Sequence, residues 1–105
     1  ADADLKVARA QIRMLGRMDG KDPRALLAAA DAPGAGVEDQ LAGADAALAL
    51  GDVNVALGRA LEAVRSHSGE ERETARLRLL ELFDIIGSSA PEVTRARRQL
   101  ATLLF

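Results

Sequence analysis

Apolar residues along this chain return every three to four positions and are cut by glycine or proline into short runs. Nowhere do apolar and polar residues alternate with the two-residue period of a strand. A chain with this period must fold as short helices that bury one stripe each. Six can be read. The first runs from about Asp4 to Met18, with Leu5, Ala8, Ile12 and Leu15 as its expected inward stripe, widened by Val7, Met14 and Met18, and Gly20 ends it. The second opens at Asp22, an N-cap residue, with Pro23 where its missing N–H does no harm. Leu26, Leu27 and Ala30 form its apolar face, and Pro33-Gly34-Ala35-Gly36 breaks it.

The third helix spans roughly Val37 to Leu50, with Val37, Leu41, Ala44 and Leu48 in line and Gly51 closing it. Asp52 caps a fourth that runs to Ser66, burying Val53, Leu57, Ala60, Leu61 and Val64. The fifth, Glu70 to Ile86, starts with Glu70, Glu71 and Glu73, which suit the positive end of a helix dipole, and Leu79, Leu82, Phe83 and Ile86 share a face. Gly87 stops it. Ser89-Ala90-Pro91-Glu92 has the form of a capping box ahead of a sixth helix carrying Val93, Ala96, Leu100, Leu103 and Leu104. Short links make sequential helices antiparallel neighbours. The predicted fold is therefore all-α, antiparallel hairpins stacked side by side in one domain. A degenerate hairpin covers 4–33, and two fuller ones cover 37–66 and 70–105.

Composition agrees. Phe83 and Phe105 are the only aromatics, while Ala, Leu and Arg, all strong helix formers, fill the chain. Basic and acidic residues number 14 and 16, and neither half is a polycation, so unspecific nucleic-acid binding has no electrostatic basis. A helix-turn-helix reading lacks a basic recognition helix. With no cysteine, thiol chemistry and disulfides are excluded within these residues, and no apolar run approaches a membrane span. The chain starts at Ala1 without a signal-peptide pattern and is read as a piece of a longer, cytoplasmic protein.

One spacing is more specific. Ala44 is followed seven residues later by Gly51, five later by Ala56 and seven later by Ala63. Two helices cross closely only where side chains are small, and the glycine closes the turn between them. This spacing resembles the tetratricopeptide repeat. Gly87 and Ala96 echo Gly51 and Ala56, and Phe83 falls where Ala47 lies. More of the chain, about 7–105, resembles the C-terminal half of bacterial thioredoxin-like co-chaperones, the chaperedoxin family. The likeness is carried by Gln40-Leu41-Ala42-Gly43-Ala44-Asp45, Ala49-Leu50-Gly51-Asp52-Val53, the run Ala75 to Phe83, Val93 with Arg97-Arg98-Gln99-Leu100-Ala101, and Leu103-Leu104-Phe105. That resemblance implies a parent that holds unfolded clients and passes them to chaperone machinery, with any redox chemistry in its thioredoxin half. It implies no enzyme activity, cofactor or metal site in this half.

In tetratricopeptide hairpins the first helix of each pair lines the concave face. By that resemblance Glu38, Leu41, Asp45 and Leu48, with Thr74, Leu77, Glu81 and Asp84, are candidate contacts for a protein partner. Arg72, Arg76 and Arg78, and Arg95, Arg97 and Arg98, form a second candidate set because arginine grips carboxylates bidentately. Competing with that role, Glu73–Arg76, Arg78–Glu81 and Glu92–Arg95 are spaced to pair along a solvated face. Gly43 and Ala47 are smaller than such repeats usually carry, which means either tight packing or a groove. Met14 and Met18 read as core fillers or as a plastic client-contacting surface. His67, the only histidine, sits between two serines with no acid partner at hand and reads as a loop residue. The alternative to partner binding is self-association as a homodimer through uncapped apolar ends such as Leu103-Leu104-Phe105.

Overall fold

A computed structural model describes residues 1–105 as six helices and no strand: α1 (Asp2–Met18), α2 (Pro23–Ala30), α3 (Val37–Ala49), α4 (Val53–Ser66), α5 (Gly69–Ile86) and α6 (Pro91–Leu104). Helices α3 to α6 build the core. Leu41, Leu57, Leu61, Val64, Leu79, Leu82, Phe83, Val93 and Leu100 interlock there with alanines between them. Burying side chains of this size contributes roughly 1.5–3 kcal/mol each.

The helices approach closely where the chain is small. Ala44, Ala56, Ala60 and Ala63 are fully buried between α3, α4 and their neighbours. Gly51, at φ +85°, turns α3 into α4. Its N–H bonds Leu48 O at 2.9 Å and that of Asp52 bonds Ala47 O at 2.9 Å, so the last carbonyls of α3 are satisfied. Asp52 then caps α4, accepting from the Val55 N–H at 3.2 Å, and Asp22 caps α2 through the Arg24 N–H at 3.0 Å. Gly87, at φ +112°, closes α5 with its N–H on Phe83 O at 2.8 Å. The ring of Phe83 fills the space between α5 and α6, whose backbones stay farther apart than those of α3 and α4. The Arg97 guanidinium lies 4.8 Å above that ring.

Gly43 belongs to a tight contact, not a groove. A Cβ built there would sit 2.5 Å from Ala30 Cβ, so α2 lies directly on α3.

Three expectations are corrected. First, α1 does not turn Leu5, Ala8, Ile12 and Leu15 inward. Leu5, Ile12 and Leu15 are 53%, 67% and 69% exposed, and the buried residues are Ala10 and Met14. At about 100° per residue the two stripes lie on opposite sides of the helix. The inward one is chosen by the arginines that flank it, which reach acids of α3 and α5. Second, 4–33 does not close as a hairpin, since α1 rests on α5 and α3 while α2 packs on α3, and in 70–105 α6 lies closest to α4 and meets α5 through side chains. Third, the capping box at Ser89 does not form. Ala90 is the N-cap of α6, without a side-chain bond, and Pro91 opens the helix.

Gly43→Ala is expected to destabilise the protein by up to about 2 kcal/mol, because overpacking costs roughly 1–3 kcal/mol against a helix-propensity gain of about 1 kcal/mol. Adding Ala30→Gly restores most of the loss in urea unfolding. Phe83→Ala is expected to cost about 3–5 kcal/mol in the same measurement.

Candidate functional site

The side of α5 opposite Leu79, Leu82 and Phe83 carries Arg78, Glu81 and Asp84, and Asp45 of α3 lies beside them. Asp45 is only 1% exposed, and a carboxylate out of water must be met by cations. Two arginines meet it. Arg17 of α1 donates through Nε to Oδ2 at 2.8 Å and through Nη2 to Oδ1 at 3.1 Å. Arg78 donates through Nη1 to Oδ2 at 2.8 Å. Arg17 Nη2 also donates to Glu81 Oε2 at 2.5 Å, and Arg13 Nε donates to Glu81 Oε1 at 2.5 Å. Lys6 Nζ lies 3.6 Å from Asp84 Oδ1. Three acids of α3 and α5 thus meet four cations, three of them from α1.

Burial works against charge on both Arg17 and Glu81, yet the bonds between them win. Those from Asp45 and Glu81 hold the Arg17 guanidinium above its ordinary value. Those from Arg17 and Arg13 hold the Glu81 carboxyl below the usual glutamate range.

The other predicted contact residues divide. Glu38 is exposed on the first turn of α3 and lines, with Arg17, Lys21, Asp39 and Arg78, a hollow of about 310 Å³. Thr74 bonds its own helix at Glu70 O, and Leu77 stands exposed on the same face as Glu81. Leu41 is core and Leu48 packs against it. Arg76 pairs with Glu73 at 2.6 Å, as its spacing predicts. Arg78 does not pair with Glu81, because the buried Asp45 claims it, and no Glu92–Arg95 pair forms. Arg72 plays a structural part, since its Nη2 donates to Leu103 O at 2.7 Å and satisfies a terminal carbonyl of α6. Arg95 and Arg98 are exposed. Met14 is buried and Met18 half-buried. His67 is half-buried and not a free loop residue, its Nδ1 lying 2.9 Å from Ala63 O at the end of α4. No three His, Asp or Glu side chains converge as metal ligands.

Sequence reasoning missed Lys6, Arg13 and Arg17. Their signal was present, since spacings of seven and four residues put all three along one side of α1, next to Ala10 and Met14. The resulting surface holds a helix through ion pairs around a thin apolar contact.

A family model described as tetratricopeptide repeat matches residues 16–105. Uncharacterized proteins of Mycobacterium bovis and of two Mycobacterium tuberculosis strains are each 37% identical over 102 residues, 97% of this chain. The match covers 33% of each relative, so the chain spans about a third of their length. No solved structure matches.

The depressed Glu81 pKa gives the α1 contact a pH dependence. A carboxyl lowered in the folded state stabilises above its unfolded value, about 4.3, and that contribution fades as pH falls through the folded value. Amide protection in α1 is expected to drop as pH is lowered from about 5 to about 3. In Glu81→Gln it is weaker at neutral pH, and the Glu81 part of the acid dependence is gone.

Proposed function

The chain belongs to the tetratricopeptide repeat family, and from that premise we propose that it is a non-enzymatic protein-binding module within a longer bacterial, cytoplasmic thioredoxin-like co-chaperone. Its partners are unfolded clients or chaperone machinery. The family's fold is a scaffold for protein interaction. The observation that carries the reading is the α3/α5 face. Asp45, Arg78, Glu81 and Asp84 line it with charge, Leu77 adds an exposed apolar side chain, and it already grips one helical segment. Of the contact residues expected from the sequence, we propose Glu38, Asp45, Arg78, Glu81 and Asp84 for this surface or its rim, while Arg76 pairs with Glu73 on another side of α5. Arg72 serves the α6 terminus and is left out. The co-chaperone part of the reading is supported by the likeness from Ala75 to Phe83 and from Arg97 to Phe105, and by relatives about three times as long. No helix is long and apolar enough to cross a membrane.

A second reading, self-association, is favoured by the outward Leu5, Ile12 and Leu15 on α1 and by Phe105, which is fully exposed. Two measurements separate them. Pull-down with the chain is expected to recover polypeptide partners that the parent also recovers, and recovery by the parent alone counts against the binding module. Sedimentation at high concentration is expected to give a monomer, while a dimer favours self-association.

A further inference from the structure

We propose that α1 is a detachable occupant of the α3/α5 face, and that the same face accepts a basic amphipathic helix from another polypeptide. The inference rests on the binding-module reading and names the partner's chemistry.

Three observations converge. The first is how little apolar contact fixes α1. It fully buries only Ala10 and Met14, with Val7 and Met18 half-buried, contributes no residue to the core cluster and does not pair with α2. Its attachment is largely ionic, through Lys6, Arg13 and Arg17, and two of those side chains are more than half exposed. Exposed pairs hold weakly and are screened by salt.

The second is charge balance. With α1 in place, Asp45, Glu81 and Asp84 face Lys6, Arg13, Arg17 and Arg78. With α1 lifted, Arg78 remains beside the three acids, with Lys21, Glu38 and Asp39 around the same hollow. Water then solvates the acids, and a segment that covers them again must bring its own cations, which a neutral or acidic segment cannot supply. The face is therefore selective. It takes a helix with arginines four residues apart beside a stripe of small or flexible apolar residues, as Arg13 and Arg17 stand beside Ala10 and Met14.

The third is the strap. α1 joins α2 through Asp19-Gly20-Lys21-Asp22, with Gly20 at φ +69°. So short a link keeps a lifted α1 near its seat at high effective concentration, and an incoming helix must outcompete it.

The test uses a fluorescent peptide of residues 2–18, the complete chain, and the chain carrying Arg13→Glu and Arg17→Glu. Anisotropy is expected to show the peptide binding the double variant at least about 10-fold more tightly than the wild type, because the tethered competitor has been expelled. A peptide carrying the same two glutamates does not bind. Equal affinity for both chains, or no binding to a folded variant, overturns the proposal. Loss of helical circular dichroism beyond the share carried by α1 itself also overturns it, since α1 would then belong to the folding unit. Hydrogen exchange on the wild type gives an independent reading. The α1 amides are expected to exchange at least about 10-fold faster than those of α3 and α5, and faster again as salt rises from about 50 to about 500 mM. Exchange of α1 together with α3 and α5 overturns the inference. A chemically unfolded polypeptide captured equally by wild type and variant leaves the binding module standing and removes this occupant. Uptake of the α1 peptide with no capture of unfolded polypeptide does the reverse.

Discussion

Close backbone approach at small side chains is the constraint on which the rest of this molecule depends. Ala44, Ala56, Ala60 and Ala63 let α3 and α4 lie together, and Gly43 lets α2 settle on the far side of α3. Helices drawn this near expose little of their backbone and leave the larger side chains, Leu79, Leu82 and Phe83 among them, to fill a common interior with α6. One consequence is that the middle of α3 is covered by its neighbours, with α1 closing over it, so a polar residue there is held out of water. Asp45 occupies that place.

From Asp45 the functional surface follows. A buried carboxylate is tolerated only with cations beside it, and these come from two different helices, Arg78 from α5 and Arg17 from α1. The molecule is thus assembled by two kinds of force. Dense apolar packing joins α3 through α6. Charge, with a narrow apolar strip, attaches α1. The second kind is tunable by salt and acid in a way the first is not, and it lies on the side of the stack where repeats of this family present the first helix of each pair.

How far the residues announced this differs by element. Helices α3 to α6 were legible because each has one apolar stripe and short links, with stop glycines after α3 and α5, so period and punctuation agree. The small-residue spacing from Ala44 to Ala63 likewise described a real crossing. Helix α1 was misread because it has two apolar stripes of similar strength, and hydrophobic period has no means of choosing between them. The choice was made by partners distant in the chain, Asp45 and Glu81, pulling Arg17 and Arg13 inward. Similarly, Arg78 and Glu81 stand at the right spacing to pair within α5 but are separated by stronger tertiary claims. Arg72 is explained only by Leu103, thirty-one residues away. Local spacing predicts local pairs, and burial re-assigns them.

The outward stripe of α1 gives that helix a second handle. Leu5, Ile12 and Leu15 sit back to back with Ala10 and Met14, so any body that clasps the outer side takes hold of the same rod that plugs the inner one. On the reading that α1 detaches, a partner covering the outer stripe and the acidic seat holding the inner one draw on a single 17-residue rod, leashed by four residues to the stack.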